Sequence, residues 1–125
     1  SFYIVTPYSA GAATYGSNSR GTAQSFGASA ASYPAPDLAC LRGNMRISTD
    51  TRQLIRNGIS IISAATDQGT VNYGNHALYI GARAGTSLFF KGYMIPGFMG
   101  DTTGIPAALL DQMAREQAAL WGVAI

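Results

Sequence analysis

Asn57-Gly58 constrains this chain more than any other pair of residues. A two-residue type I′ turn needs positive φ at both central positions, which Gly adopts freely and Asn tolerates better than most side chains. The pair sits between QLIR and ISIISA, runs rich in apolar and β-branched residues. Strands over residues 52–56 and 59–64 are therefore expected to fold back on each other in one sheet.

The neighbouring segments extend the pattern. Leu41, Gly43, Met45 and Ile47 alternate with Arg42, Asn44, Arg46 and Ser48. A period of two predicts a strand with one buried and one wet face, with Arg42 and Arg46 on the wet one. Ser48-Thr49-Asp50-Thr51 has the composition of a turn. Residues 1–8, SFYIVTPY, open with an apolar strand that Pro7 ends. Residues 13–17 and 23–28 give weaker strand signals, because Ser, Ala and Gly bury little area and must be held by neighbours. Tyr33-Pro34-Ala35-Pro36 marks a turn or an extended loop. Residues 66–76 read as a polar loop, 78–82 and 87–98 as further strands, and Ala84-Gly85-Thr86 as the turn between them. Short strands joined by local turns argue for antiparallel sheet, not βαβ units.

One helix closes the chain. Pro106 suits its first turn. Leu109, Leu110, Met113, Ala114, Gln117, Leu120 and Trp121 form its mostly apolar side, and Gly122 is placed to end it in a left-handed conformation. The side carrying Leu110, Met113, Gln117 and Trp121 is expected to pack on the sheet.

Composition narrows the function classes. Charged residues make up 11% of the chain, against roughly one quarter in ordinary soluble domains. A surface that is polar without being charged suits a protein packed into an assembly or living outside the cytoplasm; some small β domains simply look like this. The net charge is +2 and the eight basic residues are dispersed, so no nucleic-acid patch is expected. Arg42, Arg46, Arg52 and Arg56 fall close together, as a basic stripe or as the solvated outside of a sheet. A single cysteine, Cys40, excludes an intrachain disulfide and reads as a buried small hydrophobe. No run approaches the ~20 apolar residues of a membrane helix, so no membrane insertion is expected. Residues 1–125 read as one domain, or as the C-terminal portion of one, since the chain starts at Ser1.

Catalytic chemistry finds little support. One histidine and one cysteine cannot build a Cys/His zinc site. GARAGTS lacks the Lys and the spacing of a phosphate-cradling loop. The six acids, Asp37, Asp50, Asp67, Asp101, Asp111 and Glu116, are scattered among expected turns and the helix. None is set as one of a facing carboxylate pair. No enzyme activity is expected.

Four pieces, in order, carry a family resemblance. They are the strand pair around Asn57-Gly58, LYIG at 78–81 with Arg83 and Gly85 behind it, FKGYMIPGFM at 90–99, and the helix ending in Trp121-Gly122. Over residues 38–122 this resembles the C-terminal part of a concanavalin A-like (laminin G-type) jelly roll, as found in phage tail and fibre proteins. The resemblance implies an all-β antiparallel sandwich with one C-terminal helix, incomplete at its N-terminus because such domains run longer and begin earlier. Pro96-Gly97 departs from it, falling where the family has a continuous strand.

What the resemblance implies for function is a virion module with structural and recognition roles. Its partners would be other virion proteins, further copies of itself, or a host-surface glycan. Two further readings are a purely structural subunit and a non-catalytic fragment of a larger glycan-active enzyme. The recognition residues would lie in the polar loop: Asp67, Asn72, Tyr73, Asn75 and His76. A second group is Tyr15, Asn18 and Arg20. No cofactor is expected, apart from calcium held weakly by Asp67, Asn72 and Asn75 with Asp101; the competing reading is that these residues serve turn geometry.

Overall fold

A computed structural model of the chain describes residues 1–6, 12–74, 77, 79, 80, 90, 93, 94, 97 and 99–125. The strands expected over 78–82 and 87–98 and the turn at 84–86 lie outside the described residues, apart from isolated positions. The described part is mostly β: two three-stranded antiparallel sheets and one C-terminal helix.

The first sheet holds β1 (Phe2–Val5), β2 (Gly16–Arg20) and β3 (Gln24–Ala28), in that spatial order. The second holds β4 (Leu41–Arg46), β5 (Thr51–Arg56) and β6 (Ile59–Ala64), also in chain order. Asn57 and Gly58 have φ of 48° and 78°, and β5 and β6 pair antiparallel across them. The hairpin is therefore the one that Asn-Gly predicts. Between β4 and β5, Ile47–Thr49 forms a 3-10 turn, and Asp50 leaves it with φ 52°.

The two sheets face each other. Side chains opposite one another in the ladders share a face, so Met45 with Arg52, Gly43 with Leu54 and Leu41 with Arg56 line one side of the second sheet. That side meets the first sheet: Arg52 hydrogen-bonds Ser17 and Ser25, and a Cβ on Gly43 would lie 3.0 Å from Ile4 Cδ1. Leu54 is fully buried and forms the apolar core with Tyr15 and Ile62; Tyr33, Ala39, Leu41 and Ile61 pack around it. Burying such a leucine is worth about 1.5–3 kcal/mol.

The opposite side of the second sheet carries α1 (Ala107–Leu120). Arg42 on β4 bridges Asp111 on the helix at 2.6 Å, and Cys40 Sγ lies 3.9 Å from the Ala114 carbonyl. This corrects the expectation of a wet outer face on β4. Arg42 and Asn44 are half-buried because the helix covers them, and only Arg46 is exposed. The four clustered arginines make no stripe, since Arg52 and Arg56 point to the first sheet and Arg42 to the helix. Cys40 is a half-buried free thiol, its pKa pushed up by burial.

The helix begins after Pro106 and ends in a full Schellman motif. Val123 N–H donates to Ala118 O at 2.9 Å and Gly122 N–H to Ala119 O at 3.2 Å, with Gly122 at φ 70°. The covered line runs through Leu110, Met113, Ala114, Gln117 and Ala118. Trp121, expected on the sheet, is instead 54% exposed. It is the C-cap, with φ −116°, so it has left the helical line just where Gly122 turns the chain away.

Candidate functional site

The loop after β6 is built into the fold. Asp67 is exposed, and its carboxylate accepts the Gly69 N–H at 2.7 Å, closing a local turn. Gly69 has φ 80°, and a Cβ there would collide with Thr22 Oγ1, so only Gly fits. Between them Gln68 is 0% exposed. Its N–H donates to Asp50 Oδ1 at 2.8 Å, and its carbonyl accepts the N–H groups of Gly21 and Ala23, each at 3.1 Å. Its side-chain oxygen accepts the Ser19 hydroxyl. Gln68 thus ties the β2–β3 turn to the turn before β5.

Tyr73 follows the same course. Its hydroxyl lies 2.5 Å from Ser19 Oγ and its ring meets Phe2 edge-on, with centroids 5.1 Å apart. Burial pushes the Tyr73 hydroxyl pKa up. The ring is half-buried, so its role is packing as much as display. Asn72 is exposed. Asn75 and His76 lie outside the described residues. Of the loop residues expected in a recognition site, Asp67 and Asn72 are on the surface and Tyr73 is turned back onto the first sheet. The second group does not gather on the surface: Tyr15 and Asn18 are buried and only Arg20 is exposed. Asn18 Oδ1 is occupied by Gln24 Nε2 at 2.6 Å.

No three His, Cys, Asp or Glu side chains among the described residues are grouped so as to hold a metal ion. Asp101, the fourth residue considered for calcium, accepts the Thr103 N–H at 2.8 Å. Like Asp67, it serves a turn.

A charged cluster that the sequence did not announce lies at one end of the inter-sheet space. Arg56 donates to both carboxylate oxygens of Asp37, from Nε at 3.1 Å and from Nη2. Tyr15 donates its hydroxyl to the same carboxylate at 2.5 Å. The guanidinium stacks on the Tyr33 ring, 4.5 Å from its centroid, and Tyr33 packs against Tyr15 at 5.4 Å. Arg56 holds the Asp37 carboxyl below the usual range. Burial, reinforced by Asp37, pushes the Tyr15 hydroxyl up to about 12. The pieces come from a loop before β2, a loop before β4 and the end of β5, so no local spacing could have signalled them.

Two cavities flank the helix. The larger, about 180 Å³, is lined by Asn44, Arg46, Thr51, Thr102, Ile105, Ala107 and Leu110. It offers one guanidinium, one carboxamide and two hydroxyls, with no carboxyl, imidazole or thiol, so its lining has nothing to move a proton near neutral pH. The smaller, about 60 Å³, lies between Cys40, Arg42 and Ile55 on the sheet side and Asp111, Ala114 and Arg115 on the helix. Its one acidic side chain, Asp111, is paired with Arg42. No family model, no curated protein and no solved structure matches this chain.

Proposed function

We propose that this chain is a structural and recognition module of a phage tail or fibre, a concanavalin A-like jelly roll that acts through its surfaces and not through catalysis. Within that reading, attachment to other virion proteins, including copies of itself, is favoured over glycan binding. One observation carries the preference. The helix is covered along one side only and turns Leu109, Leu120 and Trp121 outward, with Leu120 73% exposed, while Tyr73, the loop aromatic expected to meet a sugar, is engaged with Ser19 and Phe2. Exposed apolar residues on a weakly charged surface suit contact with another protein. The virion setting rests on the sequence resemblance, two of whose four pieces lie partly outside the described residues.

Sedimentation of the purified chain at micromolar concentration, together with a glycan array, tests the reading. Self-association that Trp121→Glu with Leu120→Glu abolishes is the expected result, with no glycan bound. A monomer that binds a glycan through Asn72 and Tyr73 would reverse the preference. A monomer without any glycan would leave only attachment to other virion proteins, to be sought with the parent particle.

A further inference from the structure

Arg52 is 5% exposed, yet no carboxylate among the described residues lies within ion-pair distance of it. Its three hydrogen bonds go to neutral oxygens. Nε donates to Ser25 Oγ at 2.9 Å, and Nη1 donates to Ser17 Oγ at 2.9 Å and Ser17 O at 3.2 Å. Burial alone lowers its pKa. A buried charge without a counter-charge is a costly way to hold two sheets together. The layer around it is not optimised for stability either: Gln68 Nε2 is buried with no acceptor among the described residues.

What the arrangement does supply is choice of stagger. The first sheet presents Ser17 and Ser19 from β2 and Ser25 and Gly27 from β3 to the second. Ile4 on β1 and Tyr15 before β2 flank this patch, but between β2 and β3 the small side chains have nearly the same profile, so there shape alone distinguishes poorly between packings displaced by two residues, about 6.6 Å. The Arg52 fork distinguishes them. In the ladder Ser17 faces Gly27 and Ser19 faces Ser25, so Ser17 and Ser25 are diagonal neighbours. A two-residue displacement one way replaces that diagonal by Ser19 and Ala23, and the other way by Tyr15 and Gly27. Neither alternative offers a side-chain hydroxyl of serine on both strands. Gly27 completes the fit, since a Cβ there would lie 3.1 Å from Arg52 Nη2.

We propose that Arg52 is the register key of the inter-sheet interface: its guanidinium, forked between Ser17 and Ser25, selects the one stagger in which the two sheets pack. A lysine cannot replace it, because a single ammonium lacks the planar fork that spans two strands.

The test compares the full chain with Arg52→Lys, Arg52→Met and Gly27→Ala by two-dimensional amide NMR and inter-sheet nuclear Overhauser contacts. The expected result is retention of both β ladders, with more than one amide resonance for Ser17, Ser25 and Gly27 and loss of the contacts between β2 and β5. The denaturation midpoint of Arg52→Met should be equal to or above that of the parent chain. One sharp set of signals with native inter-sheet contacts in both Arg52 variants would overturn the proposal. Complete unfolding of both would overturn it as well, because Arg52 would then be a stability element and not a selector. Gly27→Ala, which keeps the charge and both serines, should show the same splitting; a single native set there would remove the fork's fit from the argument.

Discussion

Single side chains in this protein carry opposite charges in unequal company. Asp37 has a guanidinium and a phenol on one carboxylate, whereas Arg52 has only neutral oxygens. The first arrangement makes stability depend on pH at both ends. The folded Asp37 pKa is lowered, so its contribution is present above the unfolded value and lost as pH falls through the folded one. The Tyr15 pKa is raised, so its contribution is present below 10 and lost as pH rises towards about 12. Urea midpoints measured from pH 2 to 12 should show both declines. Tyr15→Phe should flatten the alkaline one, and Asp37→Asn should flatten the acid one. Asp37→Asn should also cost about 1.5–3 kcal/mol at pH 7, the usual worth of a hydrogen bond to a charged group. An unchanged alkaline limb in Tyr15→Phe would show that another group causes it. The sequence placed Tyr15 in a surface group with Asn18 and Arg20. It is buried, because its partner Asp37 is 22 residues away and no local pattern predicts such a meeting.

The β5–β6 hairpin and α1 differ in how much they owe to local chemistry. The hairpin follows from Asn57-Gly58, whose positive φ values are those a type I′ turn requires. Asn57 adds a tie to the segment leading into β4: Cys40 N–H donates to Asn57 Oδ1 at 2.8 Å and Asn57 N–H to Cys40 O at 3.0 Å. Gly58→Val places a β-branched side chain at φ 78°, and should lower the unfolding free energy by about 1–3 kcal/mol; thermal unfolding checks it. The helix ends were equally readable, from Pro106 and Gly122. Its orientation was not. Its most buried residue is Ala118, 2% exposed, so Ala118→Leu should overpack the site at about 1–3 kcal/mol. Trp121→Ala should cost only about 1 kcal/mol or less, as for a surface position, and native tryptophan emission should lie near that of indole in water. A strongly blue-shifted emission in a dilute monomer would contradict the exposed placement.

As a whole the described molecule stacks a small polar-faced sheet, a sheet with an apolar centre, and a helix. The middle sheet is covered on both sides, so β5 buries Arg52 and Leu54 towards the first sheet and Ile55 towards the helix. Leu54→Ala should therefore be among the most destabilising truncations, at about 2–5 kcal/mol. In native-state hydrogen exchange the central strands β2 and β5 should be the slowest, ahead of the edge strands β1 and β6. Faster exchange in β5 than in β6 would show that the middle layer does not unfold last. The same stacking explains why the polar loop is less free than it reads. With Gln68 bonded to the end of β2 and its turn and to Asp50 before β5, Gln68→Ala should loosen the β2–β3 turn as well as the loop.

Local stereochemistry was enough to determine the turns at 48–51 and 57–58, the strand-rich character, the antiparallel pairing around Asn57-Gly58 and both ends of the helix, because each depends on residues within a few positions of one another. The tertiary structure alone decided which faces are covered. A period of two says that a strand has two sides, but not that a helix will lie on the one carrying Arg42. A run of serines says that little area can be buried, but not that an arginine from another sheet will fill the space between them. Asp67 and Asn72 stayed on the surface as expected, while Tyr73 turned inward, because Ser19 and Phe2 come within reach only after β1, β2 and the loop have been brought together. Such contacts depend on closing long stretches of chain, and that closure is settled by the packing of the whole.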